Sequence, residues 1–387
     1  MKRIYLDHSA TTPVDARVAA VIKKYLLEDF GNPSSLHYFG RETKEALEDA
    51  RAKVAGLLNC RPDEIYFTSG GTEADNLALI GYALKHRQHG EHIVVGGIEH
   101  PAVNNSAVEL EARGFRITLV KPDRYGEVKP EAVAEALTDD TILVSIMHVN
   151  NEIGTINDIG AIGSFCREHG VTFHTDTVQS YGKVHIDVQA MNIDMASISS
   201  HKIYGPKGVG ALYMRRGIEV QPRTFGGHQE NSIRVGTENL PGIVGLGKAA
   251  EICAVEIDSE AQRLISLRDS LYHQITERLD RISLNGHPTR RLPGNLNLTF
   301  HGVEGEALLM LLDQRGIAVS SGSACSSGST SPSAVLTGIG LSDEEAQSSI
   351  RITIGRENTK EDIDYTAEVI VDSVKRLRAM AGSVIAV

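Results

Sequence analysis

The residues best suited to chemistry stand at the ends of short apolar runs. Met195-Ala196-Ser197-Ile198 passes through Ser199-Ser200 into His201-Lys202, and a Gly205-Pro206-Lys207-Gly208 turn follows. A run of this kind reads as a strand, which puts the Lys202 amine at a strand end, where open α/β sheets bind ligands. A desolvated amine there sheds its proton readily and condenses with an aldehyde. A lysine on a solvated loop would leave the same local pattern, so the decapeptide decides nothing alone.

Other strand ends supply complementary groups. Ser69-Gly70-Gly71-Thr72-Glu73 joins an apolar run to a helical pattern, and free N–H groups at such a junction suit a phosphate, with the Thr72 hydroxyl as a further donor. A glycine-assisted turn with Thr72 as a plain cap reads equally well. Phe173-His174-Thr175-Asp176-Thr177-Val178-Gln179 leaves a carboxylate 26 positions before Lys202. An acid so placed keeps a heteroaromatic nitrogen protonated and the ring electron-poor, although Asp176 is also a plausible helix cap. Glu99-His100-Pro101 offers an imidazole that can stack on a ring or move protons, and His148-Val149-Asn150-Asn151 ends a further run with an amide. Together, an anion cradle at Gly71 and Thr72, an acid at Asp176 and an amine at Lys202 describe a pocket for pyridoxal 5'-phosphate.

Two further motifs need sorting. Gly242-Ile243-Val244-Gly245-Leu246-Gly247-Lys248 has the spacing of a phosphate loop, but Ala249 replaces the magnesium-binding hydroxyl and Leu240-Pro241 is a poor strand end. Of the four cysteines, Cys60, Cys166 and Cys253 read as small buried apolar residues. Cys325 lies between Ser320-Ser321-Gly322-Ser323-Ala324 and Ser326-Ser327-Gly328-Ser329-Thr330-Ser331, a polar loop with nothing to bury a thiol. No C-x-x-C pair suggests zinc or a dithiol.

The elements that must position these groups follow from periodicity. Helical patterns are expected near 15–28 and 41–58, then apolar runs at 64–68, 92–96, 116–120, 141–147, 171–175, 194–199 and 208–214 alternate with helical stretches. That alternation predicts a mainly parallel sheet covered on both faces. A polar, glycine-rich segment at 221–242 precedes a helix at 245–279. A smaller α+β region then carries strands at 295–300 and 350–354, helices at 305–315, after Ser342-Asp343-Glu344-Glu345, and from Thr359. The expected division is an arm at 1–15 belonging to the small domain, a large domain at 16–255, and a small domain at 256–387 holding the cysteine loop at about 320–333. Thirty-nine Lys and Arg against 50 Asp and Glu give a net charge of −11, which argues against nucleic acid or an anionic membrane as partner. The N-terminus lacks the apolar core of a signal peptide and no run is long enough to span a bilayer, so the cytoplasm is the expected location.

Over essentially its whole length the chain resembles the NifS/IscS-type cysteine desulfurases, class V aminotransferases within the fold-type I pyridoxal phosphate enzymes. The resemblance runs through Tyr5-Leu6-Asp7, Ala10-Thr11-Thr12-Pro13, Gly31-Asn32-Pro33-Ser34-Ser35, Thr68-Ser69-Gly70-Gly71-Thr72-Glu73, residues 148–154 and 201–208, Gly236-Thr237-Glu238-Asn239 and Ser321-Gly322-Ser323-Ala324-Cys325. It implies that Lys202 is the Schiff-base lysine, Asp176 the acid on the ring nitrogen, Gln179 the partner of the ring phenolate and His100 the stacking imidazole. It further implies that Thr72, Ser199 and His201 bind the phosphate, that Asn151 orients cofactor and substrate, and that Thr237 reaches the phosphate of the neighbouring subunit in a homodimer. Arg351 matches the arginine that grips the substrate carboxylate, and Cys325 the persulfide-forming nucleophile. Departures are His8 and Ser9, where the family usually has asparagine, Thr177, where alanine is common, and a loop at 227–235 with fewer glycines than usual.

The expected activity is therefore removal of sulfur from L-cysteine, giving L-alanine and an enzyme persulfide that passes to an iron–sulfur scaffold protein. No intrinsic metal is expected, though Cys325 would touch iron transiently during transfer. Another fold-type I enzyme, such as a selenocysteine lyase or an aminotransferase, would keep Lys202 and Asp176 without needing Cys325, and a non-catalytic sulfur carrier would need no cofactor.

Overall fold

A computed structural model describes residues 3–321 and 331–384; the loop cysteine, Cys325, lies outside the described residues. A two-residue strand, β1 (Ile4–Tyr5), opens the chain. The central sheet follows with β2 (Ile65–Thr68), β3 (His92–Gly96), β4 (Arg116–Val120), β5 (Thr141–Ser145), β6 (Thr172–Asp176), β7 (Met195–Ser199) and β8 (Gly210–Met214). Their spatial order is β2-β8-β7-β6-β5-β3-β4. Every pairing is parallel except the two made by β8, which runs antiparallel to both β2 and β7.

Burial explains the sequence of these strands. Every residue of β3, β5, β7 and β8 is buried, as expected where helices cover both faces, whereas β4 at the edge is largely half-exposed or exposed. Alternate residues feed different cores. Val94 and Val144 pack with helices on one face, and Ile93, Val95 and Leu143 with those on the other.

The helices in chain order are α1 (Ala16–Leu27), α2 (Tyr38–Gly56), α3 (Gly71–Asn76), α4 (Tyr82–His86), α5 (Pro101–Ala112), α6 (Pro130–Ala136), α7 (Ile159–Glu168) and α8 (Leu240–Thr276). A π-helical turn at Leu77–Gly81 joins α3 to α4 without a break. The remaining elements are β9 (Ile282–Leu284), β10 (Asn295–Phe300), α9 (Gly305–Gln314), β11 (Ile317–Ala318), β12 (Ser320–Ser321), α10 (Ala334–Gly338), α11 (Asp343–Gln347), β13 (Ser349–Thr353) and α12 (Lys360–Val384). Here an antiparallel sheet of order β12-β13-β10-β9 forms, and β1 pairs in parallel with β11. Ser342 caps α11 with its hydroxyl and Glu345 answers through the Ser342 N–H, completing the capping box read from the sequence.

α8 departs most from its sequence pattern. It starts at Leu240, earlier than the periodicity suggests, because the Asn239 side chain accepts from Gly242 N–H at 3.3 Å and Pro241 fits the first turn. The phosphate-loop lookalike at 242–248 is thus helix. A Cβ on Gly247 would sit 2.7 Å from Ala50 Cα, so that glycine serves close packing against α2. Residues 255 and 256, where the sequence suggested a boundary, fall inside this one helix. Its first half packs in a core with β6 and β7, and its second half, from Leu264 to Ile275, packs with β10 and β13.

Candidate active site

Five elements of the central sheet deliver their chemistry to one place. β2 leads through Gly70 into α3, presenting Gly71 and Thr72; β3 leads to His100 at the cap of α5. Asn151 follows β5, Asp176 ends β6, and a single tight turn at Ser200–Lys202 follows β7. These residues, with Gln179, Ser199 and His201, line a single cavity of about 240 Å³. The site therefore sits beyond the carboxyl ends of neighbouring parallel strands, where such sheets bind ligands.

Lys202 points inward. Its Nζ donates to the carbonyls of Ser9 and Ala10, the latter at 2.7 Å, so the N-terminal arm holds the amine over the cavity. The same arm is tied down from below. Thr12 N–H and its hydroxyl both donate to the His201 carbonyl at 2.9 Å, and His201 Nδ1 lies 3.1 Å from Thr11 Oγ1. Burial, reinforced by Lys202, lowers the His201 imidazole to about 4.

Asp176 is 5% exposed and its Oδ1 accepts from Val178 N–H at 2.8 Å. Burial raises its carboxyl, while His100 and Lys202 pull it back toward the anion. His100 Nδ1 accepts from Ala102 N–H at 3.1 Å; burial lowers this imidazole, Asp176 supports its protonated form, and Lys202 opposes it.

A second acid, Asp75, was not singled out in the sequence. It stands one helical turn after Gly71 and Thr72, so it turns to the same wall, and that spacing was the available signal. Donor atoms of Asp75, His100 and Asp176 all lie within 4.8 Å of one another. Asp75 is raised well above the carboxylate range by burial and by the neighbouring Asp176. Like charges this close and this buried cannot both ionise, so one proton stays on the pair, and Asp176 has the stronger cationic support for being the anion. Behind them His174, lowered to about 3 by burial, spans Ser145 Oγ at 2.8 Å and Ser197 Oγ at 3.1 Å.

The residues fit pyridoxal phosphate. A Cβ on Gly71 would meet Val178 Cγ2 at 2.5 Å, so only glycine keeps the anion cradle open there. Thr72 falls inside the helix, with Gly70 at its cap, which disposes of the plain-cap alternative. Buried Gln179 donates to the Ser9 carbonyl at 3.0 Å, yet its Oε1 has no protein partner. A polar atom left in that state at a cavity wall calls for a ligand.

Not every expected residue reaches the cavity. Arg351, 1% exposed on β13, lies behind Asn151: one guanidinium nitrogen donates to the Asn151 carbonyl at 3.1 Å, another pairs with Asp7 at 2.8 Å, and its buried Nε has no partner. Neighbouring Glu152 is raised to about 7 by burial and accepts from Ser333 Oγ at 2.5 Å. Thr237 is exposed and lines no part of the cavity. Just before it, Glu230, Asn231 and Ser232 carry left-handed φ values of 45°, 55° and 64°, held by a two-pronged Arg51–Glu230 pair at 2.7 and 2.8 Å. Without that anchor three such residues in a row would relax.

The chain is similar to several known proteins. The family described as aminotransferase class-V matches residues 4–366. Cysteine desulfurase IscS of Methanosarcina thermophila is 48% identical over 380 residues, covering 98% of this chain and 94% of that protein. Cysteine desulfurase IscS of Pseudomonas aeruginosa (strain UCBPP-PA14) is 50% identical over 383 residues, with coverages of 98% and 94%. A solved NifS-like protein superposes with a TM-score of 0.91 at 35% identity, covering 97% of this chain and all of that one.

Proposed function

We propose, on the premise that this chain belongs to the aminotransferase class-V family, that it is a pyridoxal phosphate-dependent cysteine desulfurase. One observation carries the reading: the amine of Lys202, the carboxylate of Asp176 and the N–H groups at Gly71 and Thr72 open on one cavity. Relatives named for that activity across nearly the full chain supply the reaction.

Thr72, Ser199 and His201 hold the phosphate, with His201 neutral and able to donate one ring N–H. Asp176 would keep a proton on the ring nitrogen, Gln179 would partner the ring phenolate, His100 would stack on the ring, and Asn151 would orient cofactor and substrate. Bound pyridoxal phosphate, linked through Lys202, supplies a sink for the electron pair left at the substrate Cα.

Arg351, held behind Asn151 and paired with Asp7, would have to leave those partners or turn its unpartnered Nε toward the cavity to take the L-cysteine carboxylate. With its amine free, Lys202 would act as the base that takes the substrate Cα proton. The Cys325 thiolate attacks the substrate sulfur. The new S–S bond makes a persulfide on Cys325, the Cβ–S bond breaks toward the Cβ side, and two protons delivered there and at Cα leave L-alanine. The persulfide then passes to an acceptor, an iron–sulfur scaffold protein in this reading. The enzyme works as a homodimer in the cytoplasm, with Thr237 completing the phosphate site of the neighbouring copy. Among the described residues no helix is long and apolar enough to cross a membrane.

The test is single-turnover reaction of the loaded enzyme with L-cysteine. Wild type forms one alanine and gains one sulfur on Cys325 by peptide mass; Cys325→Ala forms neither. Alanine and sulfide released by Cys325→Ala at the wild-type rate would defeat the proposal.

A further inference from the structure

A second cavity lies on the other side of the arm segment that holds Lys202. Ser9 lines both: its carbonyl accepts from Lys202 and Gln179 on the cofactor side, while His8 and Ser9 also wall the other chamber. This second cavity, of about 50 Å³, is closed by α8, the Gly182-Lys183 turn, Ile203-Tyr204 and the strand end Thr353-Ile354. Its walls are mostly aliphatic, including Ile203, Ile257, Leu264, Leu292 and Ile354.

Three cationic or ionisable groups interrupt that apolar lining, and two of them keep buried nitrogens without a well-formed partner. His8 is 5% exposed and neither ring nitrogen makes a well-formed hydrogen bond, the nearest polar neighbours being the Tyr5 backbone and the Asn358 side chain. The buried Nε of Arg356 has no partner, although its other nitrogens are 3.2 Å from Asp15 and Glu256. Lys183 lines the wall half-buried; desolvation first, then the charge of Lys202, brings its ammonium down to about 7, with the Cys253 thiol opposing. The two glutamates of the lining are paired, Glu256 with Arg17 at 2.7 Å and Arg356 at 3.2 Å, and Glu260 with Arg263 at 2.8 Å.

We propose that this chamber is a binding site for a small aliphatic monocarboxylate. Its carboxylate accepts from Lys183, His8 and Arg356 Nε, and its hydrocarbon end packs against Ile257 and Leu264. Unsatisfied buried nitrogens are costly, and an acceptor anion in the chamber offers a partner to His8 and Arg356 Nε beside the Lys183 ammonium. A phosphate would bring more acceptor sites and more charge than these donors satisfy, and the volume admits only a few heavy atoms. The site is separate from the cofactor cavity, so it stands whether or not the desulfurase reading does.

The test measures butyrate and uncharged butyramide binding to the cofactor-loaded full chain by isothermal titration and ligand-observed NMR. Wild type binds butyrate, and Lys183→Met weakens it by roughly tenfold or more, the loss of one charge-assisted hydrogen bond. Ala261→Leu, which fills the chamber but keeps the amine, does the same and decides the matter if Lys183→Met folds poorly. Arg351→Lys retains the binding, and butyramide binds at least about tenfold more weakly than butyrate. Absence of butyrate binding, equal binding by Lys183→Met and Ala261→Leu, equal binding of butyramide, or loss of binding in Arg351→Lys, which would place the anion at the substrate arginine, each overturns the proposal.

Discussion

Lys202 and Lys183 are amines enclosed on opposite sides of one backbone segment, and the protein treats them differently. Lys202 has two backbone carbonyls to fix its direction and a carboxylate facing it across the cavity. Lys183 has no such acceptor and yields its proton near pH 7. Burial alone makes a lysine easy to deprotonate; the surrounding acceptors decide whether it is also aimed. An aimed amine suits a reaction at one atom, and an unaimed one suits the binding of an anion.

The comparison breaks most visibly at Lys202. Lys202→Ala should abolish the visible absorbance expected of a cofactor linked to that lysine and slow alanine formation by about 10⁴-fold, the upper end of what acid–base catalysis contributes. A variant that keeps its colour would mean that the aimed amine is not the linking one.

Lys183 predicts the opposite behaviour. Its folded value, about 7, lies below the unfolded 10.5, so the unfolded chain binds the extra proton and stability climbs as pH rises between those values. Lys183→Met should therefore raise folding stability at pH 7 by roughly 4 kcal/mol at most, less whatever solvent in the chamber relieves, and flatten that alkaline rise. Urea unfolding at pH 7 and pH 9.5 measures both.

His8 sharpens the same side at acid pH. Its imidazole is lowered to about 4, so stability is full above pH 6.5 and falls as pH drops through 4. His8→Asn should recover about 3 kcal/mol of the loss at pH 4, while His148, His174 and His201 keep the rest of the acid limb steep. No change in the acid midpoint would remove His8 from the account.

Gly71→Ala tests the cofactor side gently. Its Cβ must displace Val178, an overpacking penalty of about 1–3 kcal/mol, so cofactor affinity should fall by roughly 10- to 100-fold in an absorbance titration, with folding kept. The smallest effect belongs to Thr237→Ala: one lost phosphate hydrogen bond, about 1 kcal/mol of cofactor affinity, felt only in the dimer.

Much of the first cavity was legible because each of its groups follows a strand with a clear apolar pattern. A residue that ends a parallel strand has a known direction, so Asp176 and Lys202 could be paired across 26 positions without coordinates. Asp75 escaped because its role depends on which face α3 turns inward, and the short run 71–76 has too few turns to show a periodicity. The second cavity was illegible for a different reason. Its walls come from residues 8, 183, 257, 292 and 354, which share no motif and meet only through packing. Of its residues, His8 and Ser9 stood out as departures from the family pattern, and nothing in the sequence tied them to Lys183. The early start of α8 was hidden by Pro241 and three glycines, which read as a loop until α2 is seen to require the glycine.

α8 has one further consequence. Thirty-seven residues of uninterrupted helix make a rod of about 55 Å that is embedded at one end beside the central sheet and at the other beneath the strand pair β10 and β13. Such a spar leaves no swivel at its middle. Severing the chain at 255/256 would strip each fragment of half its rod, and neither piece should fold when expressed by itself.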